Sequence, residues 1–273
     1  MIAYDKLIAI QKSNNSKLCV GLDSDLAKIP NHFTKDIQGL VDFNSAVIEA
    51  TKSLCSCYKI NFAFYEQYGS DGFDAIEQTL QLIPKEIFTI ADAKRGDIGN
   101  TSSAYACAVF ENLDFDSITV NPYMGSDCVI PFLENPDKYV FLLALTSNQG
   151  SNDFQLLDVG GAKLYQKVIE VSSKWADEKH LGYVVGATHP EYVSGIRKIV
   201  PDRFLLFPGV GTQGGSAEDL LRANSVSSSK ISPYLVNVSR DVIYPTKEAD
   251  FAEKVQAKAE YYQSLFNEID NSI

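Results

Sequence analysis

The chain has 273 residues, 45% of them hydrophobic and 22% charged, the proportions of an ordinary water-soluble globular protein. Lys and Arg number 24 against 35 Asp and Glu, a formal net charge of −11. That balance argues against a nucleic-acid backbone or an anionic membrane as partner, so an anion would have to be held by a local site.

In chain order, residues 1–6 lack the basic start and apolar core of a signal peptide, and no apolar run approaches the roughly 18 residues of a membrane helix. The expected location is the cytoplasm. A first helix is predicted over 2–11. Eight short apolar runs rich in β-branched residues follow, at 18–22, 58–62, 87–91, 117–120, 139–145, 182–186, 204–207 and 234–238. Most are continuous in hydrophobicity, as strands buried on both faces are. Helical spacing fills the intervals, as in Phe43, Val47, Ile48 and Leu54, or Leu164, Val168, Val171 and Trp175. The small polar stretch 225–232 reads as a long mobile loop, and a last helix is predicted over 249–266. Eight strand–helix units in one chain are the arithmetic of an α/β fold, the (β/α)8 barrel, as a single domain over 1–273 with flanking helices at both ends. An open doubly wound sheet is disfavoured, because no Gly-rich dinucleotide fingerprint follows the first strand.

In such a barrel, chemistry sits where the strands end. The third run ends in Asp92-Ala93-Lys94-Arg95-Gly96-Asp97. Residues two apart on a strand share a face, so Asp92 and Lys94 should project together, with Asp97 just past a glycine where the chain can turn. Mixed charges at a strand end are costly without a purpose, which marks the run as a functional site. Lys59 lies inside the second apolar run and needs a carboxylate partner. Asp23 follows the first strand, Thr146-Ser147-Asn148 the fifth, the glycine-rich 208–215 the seventh, and Ser239-Arg240 the eighth. Closely spaced glycines with an arginine, at the seventh and eighth strands, suit a phosphate. Other polar residues have blander readings. Asp25 reads as a helix cap, Tyr65, Tyr68 and Tyr123 as packing, and His189 as a loop residue. Cys19, Cys55, Cys57, Cys107 and Cys128 read as reduced thiols, and His32, His180 and His189 lack metal-ligand spacing, so no metal is expected.

The stretch from Asp92 through Ile98-Gly99-Asn100-Thr101 resembles the signature of the orotidine 5′-phosphate decarboxylase family, in its longer type 2 branch. Six further matches follow in the family's order: Gly21-Leu22-Asp23, Lys59 within Tyr-Lys-Ile-Asn, Leu145-Thr146-Ser147-Asn148, Val185-Gly186-Ala187-Thr188, the run 208–214, and Ser239-Arg240. The resemblance implies a cofactor-free decarboxylase acting on orotidine 5′-phosphate. Lys94 would be the acid, Asp92 its neighbour beside the leaving carboxylate, and Asp23 and Lys59 partners of the ribose hydroxyls. Ser147 would contact the pyrimidine, Gln213 and Arg240 the phosphate, and Ser239 would offer its backbone N–H. Asp97 and Thr101 would reach into a neighbouring subunit's site, making the protein a homodimer. Residues 216–230 are the expected lid. Ser239 stands where many relatives have glycine, and Gln149 where they have proline. The alternatives are a metal-dependent sugar-phosphate decarboxylase or epimerase of the same superfamily, which would need an acidic ligand where Lys59 and Asn61 stand, and a non-catalytic nucleotide-binding relative.

Overall fold

The fold is described here from a computed structural model covering residues 1–210, 216–227 and 230–273. Its centre is a closed barrel of eight strands, each parallel to its neighbours: β1 (Leu18–Gly21), β2 (Cys57–Asn61), β3 (Phe88–Arg95), β4 (Ser117–Val120), β5 (Tyr139–Leu145), β6 (Leu181–Val185), β7 (Leu205–Pro208) and β8 (Tyr234–Val238). β1 closes the ring by pairing with β8, Cys19 opposite Asn237, and with β2, Cys19 opposite Cys57. Nearly every strand residue is buried, which is why the runs are apolar without alternation.

The helices wrap the barrel with one face each. In α1 (Ala3–Ser13) the residues Ala3, Leu7 and Ile10 are buried at helical spacing. This helix covers the N-terminal end of the barrel, where Gln11 Nε2 donates to Tyr234 O at 2.9 Å and Lys6 pairs with Asp116 at 2.7 Å. The outer layer continues with α2 (Ile37–Thr51), α3 (Ser70–Leu82), α4 (Gly99–Cys107), α5 (Leu164–Ser172), α6 (Pro190–Ile199), α7 (Ala217–Asn224) and α8 (Phe251–Ser272). Asp36 caps α2 by accepting from Gly39 N. The last helix buries Phe251, Val255, Ala259, Tyr262, Phe266 and Ile269 on one stripe.

Several expectations need correction. The β4–β5 connection holds only single-turn helices, Ser126–Cys128 and Ile130–Leu133, in place of a full outer helix. Of the stretch expected as a lid, 216–230, residues 217–224 form α7, whose Leu220 and Leu221 are buried while Glu218 and Arg222 face solvent, so this part belongs to the outer helical layer; residues 228 and 229 lie outside the described residues. Within the loop expected over 225–232, Ser225–Ser227 and Lys230–Ile231 pair as two short antiparallel strands. Trp175 lies past the end of α5, half-buried against the core. Asp25 caps a turn by accepting from Ala27 N at 2.9 Å, with no helix there.

Candidate active site

Strand pairing places four charges in a row. Gly21 stands opposite Lys59, and Asn61 opposite Asp92, so the ends of β1, β2 and β3 bring Asp23, Lys59 and Asp92 together. Lys59 is 4% exposed. Its Nζ lies 2.9 Å from Asp92 Oδ2 and 3.5 Å from Asp23 Oδ1. Lys94 Nζ donates to the other oxygen, Asp92 Oδ1, at 2.6 Å, and the Thr119 hydroxyl donates to the same oxygen at 3.1 Å. The row runs carboxylate, ammonium, carboxylate, ammonium.

The environment keeps Asp92 and Lys59 ionised. Burial pushes the Asp92 carboxyl up, but Lys59 and Lys94 outweigh it and hold that group well below the usual carboxylate range. Burial likewise pushes Lys59 down, and Asp23 with Asp92 overcomes it, leaving the ammonium above the ordinary lysine range. The two cations at the end of β3 part ways. Lys94 faces the barrel mouth, while Arg95 pairs with Glu66 and lies over the rings of Phe62 and Tyr105.

Backbone irregularity aims Lys94. Its φ is +48°, in the left-handed region that costs an L-residue roughly 1–2 kcal/mol. Gly96 serves close approach: a Cβ there would lie 2.8 Å from Asn121 O, and the positive-φ turn falls at Gly99 instead. Gly209, just after β7, has φ +101°, a conformation that favours glycine.

Around the charges is a cavity of about 410 Å³ at the C-terminal ends of the strands. It gathers Asp23, Lys59, Asp92, Lys94, Ser147, Ser239 and Arg240 from the residues expected by sequence. Leu143, Val184, Leu206, Pro208 and Val210 form an apolar wall; Asn61 and Asn237, at the ends of β2 and β8, line the cavity as well, as does Thr119, which sequence reasoning missed. Asp97 and Thr101 lie outside this cavity, at the start of α4, where Asp97 Oδ1 accepts from Ile98 N at 2.8 Å. Gln213 falls outside the described residues.

The supports were also missed. Tyr65, expected as packing, is fully buried and donates its hydroxyl to Leu22 O at 3.1 Å, while accepting from Asn44 Nδ2 at 3.0 Å. Tyr244 donates to Asp23 O at 3.2 Å and accepts from Asp25 N at 2.7 Å. Together they fix the loop that carries Asp23. Ser239 donates to Gly21 O at 3.0 Å, and a Cβ on Gly21 would come within 2.8 Å of Ser239 Cβ. The serine at this position therefore requires the glycine on β1. Tyr and Asn reveal such roles only when folding shows which carbonyls need donors.

A closed parallel barrel with alternating buried charges at its C-terminal mouth defines a (β/α)8-barrel enzyme that works with fixed charge. Residues 16–255 match the model of the "Orotidine 5'-phosphate decarboxylase / HUMPS family". The chain is 52% identical over 252 residues to an orotidine 5′-phosphate decarboxylase of Christiangramia forsetii, covering 91% of this chain and 92% of that protein. Among solved structures, Leishmania donovani OMP decarboxylase superposes with TM-score 0.87 at 36% identity, with all of both chains covered. Leishmania donovani UMP synthase gives TM-score 0.87 at 38% identity, over 98% of this chain but 56% of that longer one. The chain belongs to the orotidine 5′-phosphate decarboxylase / HUMPS family.

Proposed function

We propose that the Asp23–Lys59–Asp92–Lys94 row performs the reaction of this family's decarboxylases at one barrel mouth. The protein decarboxylates orotidine 5′-phosphate to uridine 5′-phosphate and CO2, a step of pyrimidine biosynthesis. The observation that carries the reading is the row itself, with Lys94 held 2.6 Å from a carboxylate that is also bound to Lys59.

Breaking the C6–carboxylate bond releases CO2 and leaves the electron pair in the plane of the pyrimidine, where the ring π-system cannot delocalise it. A preorganised ammonium stabilises that charge as it forms. Lys94 then gives a proton from Nζ to C6, and its half-exposed side chain takes one back from solvent. Asp92 sits beside the departing carboxylate and keeps Lys94 in place. Asp23 Oδ1 is enclosed and makes no hydrogen bond among the described residues, so it suits a ribose hydroxyl donor, with Lys59 beside it. Ser147 faces the base. Arg240 and the Ser239 backbone take the phosphate, with Gln213 as their partner. Binding energy from that remote phosphate can be used to organise the reacting end.

The reading includes one barrel domain over 1–273, a cytoplasmic location and a homodimer. Among the described residues no helix is long and apolar enough to cross a membrane. Support for the dimer comes from a surface beside the cavity. Tyr123 is 79% exposed with its ring 6.4 Å from that of the exposed Phe154, Met124 is exposed beside it in the chain, and Ile98, between Asp97 and Thr101, is exposed too. Apolar side chains gathered on one face suit burial against a second copy, which would bring Asp97 and Thr101 to the partner's site.

The test is loss of orotidine 5′-phosphate absorbance on adding purified protein, with and without a chelator. Turnover unaffected by chelator is the expected result. Binding without turnover, or chelator-sensitive turnover of a sugar phosphate instead, would overturn the reading.

A further inference from the structure

β3 and β4 pair in parallel, Ala91 opposite Ile118 and then Arg95 opposite Val120. The step covers four residues on β3 and two on β4, so β3 bulges over Asp92, Ala93 and Lys94. One residue of β4, Thr119, lies between the two anchor points. It is 1% exposed and lines the cavity. Its Oγ1 accepts from Lys94 N at 3.0 Å and donates to Asp92 Oδ1 at 3.1 Å. One hydroxyl therefore holds both the backbone of Lys94 in its left-handed conformation and the carboxylate that Lys94 Nζ contacts.

The donor count gives the hydroxyl a definite direction. Asp92 Oδ1 takes bonds from Lys94 Nζ and Thr119 Oγ1, while Oδ2 takes one from Lys59 Nζ. The hydroxyl proton is committed to the carboxylate, which leaves an oxygen lone pair for the Lys94 N–H. A valine has the shape of threonine but neither function. It would leave the bulged N–H without this acceptor and the carboxylate held by the two lysines alone. Small displacements of a reacting group have large effects on rate.

We propose that Thr119 is a positioning residue for decarboxylation: its hydroxyl sets the bulge that aims Lys94 and helps the two lysines hold the Asp92 carboxylate. This rests on the reading of Lys94 as the acid. The Thr119 hydroxyl bonds Lys94 N and Asp92, not the residues assigned to ribose and phosphate, so its loss should act on the chemical step and leave nucleotide binding intact.

The experiment compares wild type, Thr119→Val and Thr119→Ser in kcat, KM and affinity for uridine 5′-phosphate, with thermal melting as the check on folding. Thr119→Val should lower kcat by about 10- to 100-fold, with KM and nucleotide affinity within about twofold of wild type, and Thr119→Ser should recover most of kcat. A folded valine variant with wild-type kcat, or a serine variant as impaired as valine, would overturn the proposal. Absence of decarboxylation in wild type would instead overturn the functional reading beneath it. If Thr119→Val does not fold, hydrogen exchange of the Lys94 amide in wild type decides the matter. Slow exchange, despite the exposed side chain, is expected, and exchange at the free-peptide rate would contradict the bond to Thr119.

Discussion

Lys59 and Asp92 show how the charged row can exist inside a barrel. Each would be costly to bury alone, and each is repaid by partners within 3.5 Å. Lys59→Met leaves Asp23 and Asp92 short of a cation and should destabilise the fold by about 3–5 kcal/mol, read by urea unfolding. The pH dependence follows from the two shifts. The Asp92 carboxyl is held down on folding, so its contribution is complete above the unfolded value of about 4 and is lost as pH falls through the folded value. The Lys59 ammonium is held up, so its contribution is complete below about 10.4 and is lost as pH rises through the folded value. Urea midpoints should therefore show an acid limb from Asp92 and an alkaline limb from Lys59. Both limbs should flatten in Asp92→Asn/Lys59→Met, and their persistence unchanged would refute the assignment.

At the scale of elements, the barrel was legible because parallel strands buried on both faces have a strong signature. The bounds read for β4, β5 and β8 are those observed. The apolar run that marks β3 ends at Ala91, whereas the strand runs to Arg95. Its charged tail carries no apolar signal, and a bulge is set by the neighbouring strand. α7 was hidden because its buried face is little more than Leu220, Leu221 and Asn224 among charged residues. The charges of the site were readable from the sequence, while Thr119, Tyr65 and Tyr244 were not, since their roles depend on which backbone groups the fold leaves needing partners. The contact between β1 and β8 yields its own prediction. Gly21→Ala places a Cβ 2.8 Å from Ser239 Cβ and 3.0 Å from Asn237 Oδ1, and should cost about 1–3 kcal/mol and weaken nucleotide phosphate binding. Adding Ser239→Gly should restore part of both. Strict additivity in that double-mutant cycle would show that the two residues do not press on one another.

At the scale of the whole molecule, the proposed shared site requires two copies of the chain. Asp97 and Thr101 lie outside their own chain's cavity, flanking the exposed Ile98. If each site joins Lys94 of one subunit to Asp97 of the other, Lys94→Ala and Asp97→Ala homodimers are both inactive. Refolded as an equal mixture they form hybrids with one intact site, recovering about a quarter of wild-type activity. No recovery, in a mixture shown to exchange subunits, would refute the shared site. The claim on which everything else depends is that a fixed ammonium at the end of β3 protonates the carbon that loses CO2. Turnover of orotidine 5′-phosphate by Lys94→Ala, measured beside its affinity for uridine 5′-phosphate, tests that claim most directly. Turnover should be abolished while the nucleotide still binds through Arg240 and its neighbours, and near-normal decarboxylation by that variant would rule out Lys94 as the proton donor.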